Sequence, residues 1–194
     1  MLIERPKEAF KKIILAEHKN YVLLLALFFG ISAAFALFWA AKFGNEFENI
    51  LPLIIGAFSA GIVLAIPFFL ILAVLIFGTF KIFGGKGNFI NTYAVVGWSL
   101  FPLALSVFFI LPIELATVGL YFFSSNPSGY DYKPEVYSVL IGLDTLCIVW
   151  ALLLLGLGLS IAQRRSFLLS LILSSAVVAI VCWGIFYGFH VIYY

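Results

Sequence analysis

Two carboxylates stand where hydrocarbon is expected: Glu114 in ILPIELATVG and Asp144 in IGLDTLCIVW. An acid deep in an apolar segment is costly, about 2.5–3.5 kcal/mol for Asp on insertion scales, and is a functional candidate by default. No lysine or arginine lies in either stretch to neutralise it. Brought into contact, the pair would share a proton or bridge a cation. His190, in the last apolar run, could join them. Glu, Asp and His from three segments form a donor set for a divalent cation or a proton site, with Glu114 and Asp144 as the metal ligands. The competing expectation is structural: Glu114 and Asp144 hydrogen-bond a Thr, a Tyr or a carbonyl freed by Pro112, and simply fasten helices together.

A second stretch invites chemistry of another kind. IFGGKGNF, residues 82–89, sets three glycines around Lys86. A phosphate-gripping loop needs GxxxxGK[ST] spacing after a strand, and this stretch has neither. It reads as a glycine turn between two apolar runs, with Lys86 available to a lipid phosphate. The chain has no HExxH, CxxC or GxSxG pattern, so it is not expected to be an enzyme. Cys147 and Cys182 both fall inside apolar runs, where a thiol acts as a small hydrophobe.

The elements that must position these residues follow from composition. Of 194 residues, 64% are apolar and 10% charged, against roughly 25% charged in soluble domains. Mean hydropathy is +1.18. So little charge cannot cover a soluble fold, and the chain reads as an all-α integral membrane protein. Apolar runs of spanning length cover about 21–41, 50–80, 93–122, 136–162 and 167–194. These predict a single membrane domain over 1–194, a bundle of five transmembrane helices. Pro67 is expected to bend the second span, and Pro102 and Pro112 to kink the third. No cleavable signal is expected, because the first apolar run is itself long enough to span.

Loop charges orient the bundle. Nine of the 11 basic residues fall on one side, including Arg5, Lys7, Lys11, Lys12, Lys86, Arg164 and Arg165. The positive-inside rule then places the N-terminus in the cytoplasm and the C-terminus outside. Treating 50–80 as two crossings would reduce this 9:2 partition to 6:5, which favours five spans. Residues 1–20 are expected to form a short amphipathic helix on the inner leaflet. Phe10, Ile13 and Ile14 make its apolar face, and Arg5, Lys7, Lys11 and Lys12 meet lipid headgroups or a partner. The outer loop SSNPSGYDYKP is turn-rich and expected to lack regular structure. A net charge of +2 gives no reason to expect nucleic acid as a partner. Gly184-x-x-x-Gly188 and Ala57-x-x-x-Gly61 have the spacing of close helix packing, within the chain or in a homo-oligomer.

With the spans in place, three stretches carry a resemblance. RPKEAF (Arg5–Phe10) precedes the first span, GGKGNF (Gly84–Phe89) links spans two and three, and YAVVGWSLFP (Tyr93–Pro102) opens the third. In their order, and in five-span topology over nearly the whole chain, they resemble the Ypt-interacting protein (Yip) domain family. The resemblance implies a five-helix bundle with a cytoplasmic N-terminus. It also implies a membrane scaffold or adaptor in trafficking or membrane organisation, with membrane-protein partners. Eukaryotic members carry a long cytosolic segment before the first span, and this chain has 20 residues there. Small-GTPase binding is therefore not expected, and the chain looks like the short prokaryotic branch, placed in the cytoplasmic (inner) membrane. The rival expectation is a cation- or proton-binding transporter built on Glu114 and Asp144.

Overall fold

A computed structural model describes residues 2, 4–15 and 21–193, apart from the side chains of 186 and 189–193. Among the described residues the chain is helical, without strands. Five helical stretches are long and apolar enough to cross a membrane: 22–40, 50–82, 89–117, 134–162 and 167–185.

A short helix comes first, α1 (Pro6–Leu15), followed by α2 (Val22–Ala40) and α3 (Ile50–Ile82). The 33 residues of α3 extend about 50 Å at 1.5 Å per residue, longer than a ~30 Å hydrocarbon core. Helical structure continues through Pro67 without interruption. Helices α2 and α3 cross in near-backbone contact. A Cβ on Gly30 would lie 2.4 Å from the Gly61 carbonyl oxygen, and one on Gly61 would lie 2.7 Å from Ile31 Cα. Ala57 and Ala65 are fully buried. Lipid tails are as apolar as leucine, so helices in a bilayer associate through close packing rather than hydrophobic exclusion, and small residues allow it. The Ala57–Gly61 stripe therefore serves a contact within the chain.

The third span is broken, as its prolines require. Helix α4 (Phe89–Ser99) opens four residues earlier than the hydropathy run suggests, because Asn88 caps it by accepting from Asn91 N at 2.8 Å. Pro102 sits in the first turn of α5 (Phe101–Leu105). A π-helical segment, Ser106–Ile110, then leads into α6 (Leu111–Thr117), where Pro112 again occupies the first turn. A 3-10 turn (Gly119–Phe123) follows, then α7 (Gly129–Tyr132) and the last two spans, α8 (Pro134–Ala162) and α9 (Phe167–Tyr193). Helix α7 corrects the expectation of an irregular loop. Ser128 and Asp131 form a reciprocal capping box that sustains one helical turn there.

Two apolar cores stack along the bundle. One joins Phe10, Phe69, Ile76, Phe80, Val95, Leu155 and Leu159 at the α1 end. The other joins Phe35, Leu53, Leu111, Phe122, Phe123 and Leu140 at the opposite end. Helix α1 belongs to the first. Phe10 is fully buried, with Ala9 and Ile13 beside it. Its ring meets α8 at Gly158, where a Cβ would lie 2.9 Å from Phe10 Cε1 and 2.6 Å from Val95 Cγ1. The apolar face expected to rest on lipid is thus occupied by the bundle.

Gly30→Val forces a side chain into the Gly61 backbone. It should destabilise the protein by about 1–3 kcal/mol, the usual cost of overpacking, measured by thermal unfolding in detergent.

Candidate functional site

The π-helical segment sets the geometry of the carboxylates. Proline lacks an N–H, and its ring excludes the carbonyl four residues back. Ahead of Pro112 the backbone takes one extra residue into a turn, and Leu111 N–H donates to the Ser106 carbonyl, five residues back. Eight residues along a regular helix turn by about 80° net, at 100° per residue. Absorbing one residue in a π-bulge brings Ser106 and Glu114 to within about 20° of one face.

That face meets α8. The Ser106 hydroxyl donates to Asp144 Oδ1 at 2.5 Å, the length of a charge-assisted O–H···O⁻ bond. Glu114, 3% exposed, lines the same cavity as Asp144. Its Oε1 atom is buried and has no hydrogen-bond partner. The two sequence-predicted acids therefore come together, and Ser106 is a third member that sequence reading missed. His190 lies on α9, but its side chain is outside the described residues. Thr117 and Thr145 donate to carbonyls of their own helices, Ile113 and Ile141, rather than to the acids.

Glu114 and Asp144 line a cavity of about 200 Å³ between α2, the third span and α8. Its other walls include Ser32, Phe35, Trp39, Phe122, Phe123 and Thr145. Neither acid has an ion-pair partner among the described residues, and no cluster of three or more His, Cys, Asp or Glu occurs among them. The end of the bundle beyond the cavity is tied shut. Trp39 Nε1 donates to Tyr137 Oη at 3.1 Å, and Lys133 Nζ to the Thr117 carbonyl at 2.8 Å. Asn45 clamps the opposite loop twice, donating to Ser125 Oγ at 2.8 Å and accepting from Ser125 N at 3.0 Å. Lys42 lies over the Trp39 ring, 4.8 Å from its centroid, and burial pushes its ammonium below the usual lysine range. Asp131 accepts from Ser128 Oγ at 2.7 Å and Ser128 N at 3.0 Å, and these bonds hold its carboxylate below the usual range.

The glycine loop at the other end is also a built feature. Gln163 is fully buried. Its Oε1 accepts from Gly87 N at 3.0 Å, its Nε2 donates to Thr92 Oγ1 at 2.7 Å, and its carbonyl accepts from Lys86 N at 3.1 Å. Arg165 donates to the carbonyls of Phe83, at 2.7 Å, and Gly84. The glycines permit this docking. A Cβ on Gly87 would lie 2.4 Å from the Ala162 carbonyl oxygen, and Gly84 has φ of +75°. The loop's amides thus face another loop of the same chain, while Lys86 stays exposed. Gln163 and Thr92 had no sequence signal beyond a single polar residue at the edge of an apolar run, and Arg165 counted only as a loop charge.

Arg5, Lys7, Lys11 and Lys12 are all exposed on α1. Arg5 pairs with Glu8 across 3.7 Å.

The family model described as the Yip1 domain matches residues 2–188. No curated protein and no solved structure matches the chain.

Gln163→Leu leaves the Gly87 amide and the Thr92 hydroxyl without their partner. It should cost about 1–3 kcal/mol in denaturant unfolding and speed tryptic cleavage after Lys86. The capping box gives a pH dependence of definite sign. Because the folded Asp131 carboxyl is held low, its support of α7 is complete above the unfolded value of about 4. That support is lost as pH falls through the depressed value. A spin label at Asn126 should gain mobility on acidification in the native chain, and be mobile at every pH in Asp131→Asn.

Proposed function

Since the chain belongs to the Yip1 domain family, and is accordingly a multi-pass membrane protein, we propose that it is a non-enzymatic scaffold or adaptor that organises membrane partners through its basic end. One observation carries this reading: α1 is seated in the bundle by Phe10 at Gly158. An amphipathic helix serving only as a lipid anchor would keep its apolar face for the bilayer. Here that face is spent within the chain, and Arg5, Lys7, Lys11 and Lys12 are held outward on a fixed platform. The charge partition of the loops supports a cytoplasmic position for this platform. The docked GGKG loop, with exposed Lys86, adds to the same end. The partners it fits are acidic surfaces of other membrane proteins or anionic headgroups beside them. The bundle as a whole resides in the lipid bilayer, in the inner membrane if the cell is prokaryotic.

Cross-linking in native membranes, with the full chain as bait, tests the proposal. Each lysine near an anionic surface contributes about 1 kcal/mol. Replacing Lys7, Lys11 and Lys12 by Gln together should therefore weaken partner association by about 100-fold. Gly158→Leu, which keeps every lysine but evicts Phe10, should also weaken it, whereas Glu114→Gln should leave it unchanged. Association insensitive to both the triple variant and Gly158→Leu would refute the adaptor reading.

A further inference from the structure

We infer that the Glu114–Asp144 cavity is a binding site for a small, bilayer-soluble organic monocation, an alkylammonium. This goes beyond the adaptor reading and shares no residue with it. Four observations carry it. The first is Glu114, 3% exposed in the wall of a cavity, with its Oε1 atom buried and unpartnered. A buried carboxyl oxygen without a hydrogen bond is costly, and rotation of the Glu114 carboxyl would present it to an N–H donor in the cavity. The second is charge. Neither Glu114 nor Asp144 has an ion-pair partner among the described residues, so a cationic ligand would supply positive charge that the cavity walls lack.

Shape and lining are the third. About 200 Å³ exceeds the roughly 150 Å³ cavity that accommodates benzene in an engineered protein, and is far more than a bare ion needs. These walls provide two carboxyl groups and the hydroxyls of Ser32, Ser106 and Thr145, and they are otherwise aromatic and aliphatic. Phe35, Trp39, Phe122 and Phe123 are suited to an alkyl body and to cation–π contact with an ammonium.

Access is the fourth. The outer end is closed by the Trp39–Tyr137 hydrogen bond, with the Lys42 ammonium over the Trp39 ring. The exposed rim of the cavity is instead formed by Ala36 of α2 and by Thr145 and Ile148 of α8, on the flank that faces lipid. A ligand entering there must already be dissolved in the bilayer. That favours an amine with a hydrocarbon tail over a hydrated ion.

The test uses the full chain in phosphatidylcholine nanodiscs, with empty nanodiscs as the partition control. n-Hexylammonium should raise the melting temperature and change Trp39 fluorescence, saturably and with one apparent constant. Trp39→Phe should lose the fluorescence change. The neutral alcohol n-heptanol, one carbon longer, should do neither. Replacing both acids, Glu114→Gln with Asp144→Asn, should weaken hexylammonium about 10- to 100-fold, the range for a charged hydrogen bond. The double variant removes buried charge and has little reason to misfold, and the heptanol comparison needs no variant at all. Equal effects of heptanol and hexylammonium would overturn the proposal, as would binding that survives the double variant. Stabilisation by calcium or magnesium but not by the amine would make this a metal site, and a response to protons alone a proton site. Either result also overturns the proposal.

Discussion

Hydrocarbon offers no hydrogen bonds, and the structure is organised around that fact. Every polar group carried into the bundle must find its partner in the chain itself. Most do so locally: Ser99 donates to the Val95 carbonyl, Ser174 to Ser170, and Thr145 to Ile141. Gln163 does so across the fold, with both ends of its amide satisfied by a neighbouring loop and span. Against this background Glu114 stands apart. Three buried side-chain atoms lack partners among the described residues: Glu114 Oε1, Arg165 Nε and Ser170 Oγ. Arg165 donates elsewhere through Nη2, and Ser170 is a neutral hydroxyl. Only Glu114 brings an acid to a cavity wall.

The same constraint explains why small residues and broken helices coexist in one bundle. Without hydrophobic exclusion between spans, affinity comes from close approach, so α2 and α3 meet at glycine and alanine. The Glu114–Asp144 cavity lies where a helix departs from regularity. The third span departs twice, at Pro102 and Pro112, and the cavity adjoins the second departure. The π-bulge is thus both an accommodation of proline and the device that turns Ser106 and Glu114 toward Asp144.

The two ends of the molecule use loop hydrogen bonds to different effect. At one, Asn45, Ser125, Ser128 and Asp131 hold short turns over the cavity. At the other, Gln163 and Arg165 draw two loops together beneath α1 and leave the basic face of α1 exposed. The glycine motif that first suggests a phosphate site is occupied by this internal docking.

Hydropathy and charge were sufficient for the five spans, because crossing a membrane depends on the length and polarity of a segment and on little else. Glu114 and Asp144 were legible as candidates for the same reason: an acid in an apolar run is conspicuous. The boundaries at Asn88 and Ser128 were not legible, since they rest on caps that form only when a side chain reaches back to the backbone. Nor was the seat of α1, because an apolar face looks the same whether it will meet lipid or protein. The sequence alone therefore determined how many times the chain crosses and which residues are out of place. Only tertiary structure decided what those residues face: Phe10 a glycine on α8, Gln163 a loop, and Glu114 an aromatic cavity beside Asp144. Those outcomes depend on register between helices, and register is a property of packing that no single segment carries.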